Sequence, residues 1–141
     1  MITLHILKLL EDNGFGTLSL TGKESGENLL WFEKLPLGKD GVYIMSRGDA
    51  MTRGQMTTQA FDLYARGSND LDGAKRLEAI LEFFAKECYP VCDLPLVRKY
   101  SETVYKNSII VPTFNISNVG VDSADRVIYL ASAQVIYKKE Q

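Results

Sequence analysis

The chain has 141 residues, of which 45% are hydrophobic and 24% charged. That is ordinary globular composition, long enough for one domain (1–141) with its own core. A net charge of −2 gives no electrostatic drive toward DNA, RNA or an anionic membrane. No apolar run reaches the length of a membrane span. The opening Met-Ile-Thr-Leu-His-Ile-Leu-Lys lacks the basic start, long apolar stretch and cleavage site of a signal peptide, so a cytoplasmic origin is expected.

Ile2, Ile6, Leu9 and Leu10 share one helical face with Leu7 close by, predicting a first helix over Ile2 to Asp12 that Asn13-Gly14 ends as a left-handed cap. Phe15 to Leu20 reads as a strand, with Leu18 and Leu20 on one face. Thr21 to Glu27 is a polar turn with two glycines. Asn28 to Glu33 is short and apolar, a buried strand, and Lys34 to Gly41 is a connector in which Pro36 keeps Leu35 extended. Val42 to Ser46 is another strand. From Ser46 to Thr58 no periodicity stands out, and the stretch reads as either a long hairpin loop or a flexible arm.

The organising stretch runs from Gln59 to Cys88. Phe61, Leu63 and Ala65 alternate with Asp62, Tyr64 and Arg66, the period of a half-buried strand. Gly67 to Asp70 breaks it and offers Ser68 or Asn69 as a helix cap. Leu71, Ala74, Leu77, Ile80, Leu81, Phe84 and Cys88 then recur at three- and four-residue steps, with Lys75, Arg76, Glu82 and Lys86 largely opposite. A strand that turns directly into such a helix implies that the helix lies back across a sheet. Tyr89 to Leu96 holds Pro90 and Pro95 and cannot stay regular for long. Ile109 to Val121 and Arg126 to Lys138 form a closing hairpin around Asp122 to Asp125, with Pro112 marking an edge or bulge. On the return strand Val127, Tyr129, Ala131, Ala133, Val135 and Tyr137 form one face. Ile128, Leu130, Ser132, Gln134 and Ile136 form the other, which is hardly more polar. One face is expected to pack on the helix and the other to meet a partner. The fold class that follows is α+β, a mostly antiparallel sheet covered on one face by two main helices.

No catalytic or cofactor motif emerges. His5 is the single histidine and lies on an apolar helix, which suits a structural role better than that of a general base. Gly14-Phe15-Gly16 has the wrong spacing for a phosphate loop, and no calcium loop is present. Cys88 and Cys92 lack the further ligands of a zinc site and read as two buried, reduced thiols rather than a disulfide. Arg47-Gly48-Asp49 matches an integrin-binding tripeptide, but two charges flanking a glycine in a loop are the better account, since a cytoplasmic protein has no route to an integrin. Arg47, Arg53, Lys34 and Lys39 make a weak basic patch diluted by Asp40 and Asp49.

Several segments nevertheless fall in a familiar order. They are Leu10 to Gly16, Trp31 to Pro36, Gly41 to Ile44, Thr58 to Gly67 with the helix after it, and Asn118 to Asp122 with the last strand. In this order and at this length the chain resembles a family of small phage and prophage proteins, the tail terminators or minor capsid proteins of long-tailed phages. The resemblance spans nearly the whole chain. It implies a fold similar to the lambda-type tail terminator and a structural role without catalytic residues, metal or cofactor. Family members form a hexameric ring that caps the tail tube, ends its polymerisation and presents the joint to the head-side connector. The implied partners are further copies of the chain, the major tail tube protein and the connector, with transient, non-specific passage of DNA and no membrane. The implied location is the head-proximal end of the tail in the virion, after synthesis in the bacterial cytoplasm. A head-completion or neck protein, or a small cytoplasmic binding module, are the alternative readings. A ring needs heterologous contacts, and the candidate interface residues are Arg47, Arg53 and Met56 on the loop or arm, with Tyr129 and Tyr137 on the last strand.

Overall fold

Residues 2–20, 29–32, 40–67, 71–97, 100–101, 103–122 and 126–138 are described by the computed structural model. In chain order the elements are α1 (Ile2–Asp12), β1 (Thr17–Ser19), β2 (Leu29–Phe32), β3 (Gly41–Arg53) and β4 (Met56–Arg66). They continue with α2 (Asp72–Glu87), β5 (Ile109–Val121) and β6 (Val127–Tyr137).

α1 buries Ile2 through Leu7 and Leu10, more than a single stripe, as a helix wedged into a core does. Its end follows from Gly14, whose φ of 83° is open to glycine at little steric cost. With that residue left-handed, Gly14 N donates to Glu11 O (3.1 Å) and Phe15 N to Leu10 O (3.0 Å), the paired bonds that satisfy the last carbonyls of a helix. Glu11 Oε2 in turn accepts from Leu18 N at 2.6 Å, tying the helix end to β1.

The six strands form one sheet in the order β1-β2-β3-β4-β6-β5. It is mixed, which corrects the expectation of a mostly antiparallel sheet. β1 with β2 and β2 with β3 run parallel, whereas β3–β4, β4–β6 and β6–β5 are antiparallel. Glycines and polar residues in the connections say where the chain turns and not which way the next strand runs. The turns expected at Thr21 to Glu27 and Asp122 to Asp125 lie largely outside the described residues, as do most of the connector after Glu33 and the proposed caps Ser68 and Asn69. The residue at the cap position of α2 is Leu71.

α1 meets β1, β2 and β3, and α2 meets β4, β5 and β6. One core joins Ile6, Leu7 and Leu10 of α1 and Leu77, Ile80, Leu81 and Phe84 of α2 with alternate residues of the strands. Those strand residues are Leu30, Val42, Ile44, Phe61, Leu63, Ala65, Ala131, Ala133, Val135 and Ile110. Each large apolar side chain so buried contributes roughly 1.5–3 kcal/mol. No helix among the described residues is long and apolar enough to cross a membrane.

β5 is an edge strand, as Pro112 suggested. Register shifts between Thr113 and Ser117 and between Asn118 and Gly120 further disrupt it, a usual guard against edge pairing. At the other end of its partner strands, Arg66 and Asp122 form an ion pair at 2.8 Å with side chains only 1% and 5% exposed. Asp122 also accepts from Arg126 N at 2.9 Å, and the Arg126 guanidinium pairs with Asp40. These contacts tie together the start of β3, the ends of β4 and β5, and the approach to β6.

Candidate functional site

The stretch Ser46 to Thr58 is neither loop nor loose arm. β3 continues through it to Arg53, and Gly54-Gln55 forms a two-residue turn into β4. Gly54 has φ 61° while Gln55 has no positive φ, which fits a type II′ hairpin turn with glycine at its first central position. The regular period is hidden by a bulge: Gly48, Asp49 and Ala50 together stand opposite Gln59, between the pairs Arg47↔Ala60 and Met51↔Thr58. Gly48 adopts φ 68° there. The buried Gln59 amide serves the bulge, donating from Nε2 toward Arg47 O (3.3 Å), Gly48 O (3.2 Å) and Ala60 O (2.8 Å). Near the tip, the Thr52 and Thr57 hydroxyls are hydrogen-bonded at 3.0 Å.

Because the bulge adds two residues, side-chain parity survives it. Thr57, Gln59, Phe61, Leu63 and Ala65 of β4 are buried on the core side, so Met56, Thr58, Ala60, Asp62 and Tyr64 face the other way. Their β3 partners Arg53, Met51, Arg47, Met45 and Tyr43 share that outer face. Met45, Met51 and Met56 are 40%, 66% and 40% exposed. β6 extends the face with Ile136, Gln134, Ser132 and Leu130, paired with Thr58, Ala60, Asp62 and Tyr64. β5 adds Ile109 and Val111.

Arg47 does not stand as a free cation: it pairs with Asp62 at 3.1 Å, and Asp62 also accepts from Ser132 Oγ at 2.7 Å. Beside them Tyr43 and Tyr64 stack with ring centroids 4.6 Å apart and planes 11° from parallel. Burial, reinforced by Tyr64 and Asp62, pushes the Tyr43 hydroxyl above its ordinary pKa. The outer face is therefore a mixed apolar surface with one internally compensated ion pair and, at the tip, the exposed Arg53.

The candidate residues separate accordingly. Arg47, Arg53 and Met56 lie together on this face. Tyr129 and Tyr137 do not join them, a correction that follows from parity, since odd-numbered β6 residues share the side of Ala131, Ala133 and Val135. Tyr137 is 6% exposed and meets Tyr105 edge-on at 5.2 Å. Tyr129 packs beside Gly73, where an added Cβ would lie 3.1 Å from its ring and 2.8 Å from Ala65 O. The outward apolar residues of β6 are instead Ile128, Leu130 and Ile136. An open cavity of about 900 Å³ lies under the hairpin tip, with Thr52, Met56, Lys106, Asn107, Tyr137 and Lys138 among its lining. It offers cationic and hydroxyl groups to a polar or acidic side chain.

His5 is fully buried. Its Nδ1–H donates to Pro95 O at 2.9 Å, so Nε2 of the neutral ring accepts from the Ser101 hydroxyl at 2.9 Å. Burial holds its pKa below the ordinary value. Both ring nitrogens are thus committed to holding the connector between α2 and β5. Arg47-Gly48-Asp49 forms the start of the bulge, and Lys34 and Lys39 of the expected basic patch lie outside the described residues. Among the described residues no three His, Cys, Asp or Glu side chains gather as metal ligands would.

Sequence reasoning missed Met45 and Met51 as members of this face, and missed Gln59 as its support. Counting period two backward from Phe61 through Met56 locates the near strand, but three bulged residues hide the far one. No protein-family model matches the chain, and no curated protein matches it.

Proposed function

We propose that this chain is a structural virion protein that assembles as a hexameric ring on the tail tube of a long-tailed phage. The ring ends tube polymerisation and offers the joint to the head-side connector. The reading draws on the sequence resemblance to tail terminators, including a fold of the lambda-type terminator. The observation that carries it is the outer sheet face and its hairpin, with three exposed methionines beside half-buried aliphatics and two arginines. Methionine adapts to irregular partner surfaces, and a contiguous exposed apolar face is characteristic of a surface that meets another protein.

In this reading the partners are further copies of the chain, the major tail tube protein and the connector. The role requires no reaction and no cofactor. DNA passes through the ring without being held, in keeping with a net charge of −2. The protein is made in the bacterial cytoplasm and resides at the head-proximal end of the tail.

Replacing both Arg53 and Met56 with alanine tests the hairpin's part in assembly. Both are exposed, so the far-ultraviolet dichroism and melting temperature are expected to stay near wild type. Sedimentation velocity across a concentration series is expected to show at least tenfold weaker self-association, about 1.4 kcal/mol. Unchanged association would remove the hairpin tip from the interface.

A further inference from the structure

The segment Cys88-Tyr89-Pro90-Val91-Cys92 leaves α2 and enters the connector to β5. Tyr89, Pro90 and Val91 are exposed, whereas Cys88 is fully buried and Cys92 half-buried. The loop therefore turns its middle outward and both sulfurs inward, where Cys88 belongs to the core and Cys92 packs against it. Their backbones are anchored on one extended stretch. Cys88 O accepts from Ile110 N at 3.1 Å, and Cys92 exchanges bonds of 2.7 and 2.8 Å with Ser108. Ser108 and Ile110 stand roughly 6.7 Å apart along an extended chain. That is of the order a disulfide spans, with Cα atoms up to about 6.8 Å apart. The two thiols are free, and they lie close enough for each to shift the other's pKa.

From this arrangement we infer that Cys88 and Cys92 form a site of reversible oxidation, closing an intramolecular disulfide when the protein meets a peroxide. The order of events follows from accessibility. Cys92 is the less buried of the two cysteines, and the neighbouring Cys88 thiol favours its thiolate, lowering its pKa against the opposing effect of burial. The neighbouring Cys92 and burial hold Cys88 as a thiol. The Cys92 thiolate attacks one peroxide oxygen, the O–O bond breaks, and the hydroxide released takes up the Cys92 proton as water. The resulting sulfenic acid is attacked at sulfur by Cys88. The S–O bond breaks, and the second hydroxide leaves as water with the Cys88 proton. Two thiols and one peroxide thus give one disulfide and two waters, and a dithiol reductant reverses the result. The bond would clamp the last turn of α2 to the connector. This inference does not depend on the assembly reading.

The test uses the full chain, reduced, freed of reductant and treated with hydrogen peroxide, then unfolded, alkylated and weighed intact. Both thiols are expected to be lost together, with the mass falling by two hydrogens. The chain should remain single on a non-reducing gel, and a dithiol should restore both thiols. In Cys88→Ser, Cys92 is expected to be trapped as a sulfenic acid by dimedone. In Cys92→Ser, Cys88 should survive the same exposure. Thiols that remain fully alkylatable, or that are lost only with added oxygen or through disulfide-linked dimers, would overturn the inference.

Discussion

At the residue scale, His5 makes stability depend on pH. Its folded pKa lies below the ordinary 6.5, so near and just below that value the unfolded chain binds a proton that the folded chain refuses. Stability is then fully present above about pH 7 and falls as the pH drops through 6.5 toward the folded pKa, by at most about 1.4 kcal/mol per pH unit for one proton. Thermal unfolding at roughly pH 7.5, 6.5 and 5.5 should give falling melting temperatures. His5→Phe should be less stable at neutral pH but much flatter across the window, and a flat wild-type profile would exclude this role. The Arg66–Asp122 pair gives a second expectation. Asp122→Ala leaves a buried guanidinium without its carboxylate and should destabilise by about 3–5 kcal/mol, whereas the joint change Arg66→Met with Asp122→Leu should recover much of that. Denaturant titration of the three proteins checks it. Neither partner was legible as buried. Arg66 sits at a position whose alternation points away from the core, and the carboxylate that neutralises it comes from 56 residues further along.

Among the elements, α1, α2 and β4 from Gln59 onward were legible because each carries an apolar period that ends at a glycine or proline, and β6 was legible from its alternation. Gly14 at the end of α1 is the plainest case. β3 was half legible: its first residues alternate, but Gly48-Asp49-Ala50 breaks the count, and a bulge resembles a loop when only spacing is read. What keeps the strand extended is the Gln59 side chain, a contact that spacing does not reveal. Gln59→Ala should leave the Arg47 and Gly48 carbonyls without that donor and weaken the hairpin by about 1–2 kcal/mol. Hydrogen exchange is the suitable measurement, with faster exchange expected around Met51 to Thr58 and unchanged protection in α2. Equal loss of protection in α2 would mean that the amide supports the whole fold instead. The closing hairpin β5–β6 was legible as antiparallel, whereas β1, β2 and β3 could be counted but not oriented.

For the whole molecule, the division into a helix-packed core and an outer sheet face was foreseen, and so was the membership of the two β6 faces, but not which of them packs on the helices. Tyr129 and Tyr137 attract notice as large aromatic residues on a terminal strand, yet parity places them with Ala131 and Val135. The exposed apolar residues that replace them are Met45 and Met51, which join the candidate Met56; Met51 and Met56 lay in the stretch without visible period. In the proposed ring this face of each copy would meet a neighbour or the tail tube, and the cavity beneath the hairpin tip, lined in part by Lys106 and Lys138, would offer them to an acidic group on that partner. The measurement that tests this most directly is the native mass of the purified protein across a concentration series, with stained grids imaged alongside. The account predicts a species of six copies that grows with concentration, seen on the grids as six-fold rings with a central hole. A tight dimer that persists at every concentration, with no rings on the grids, would contradict it.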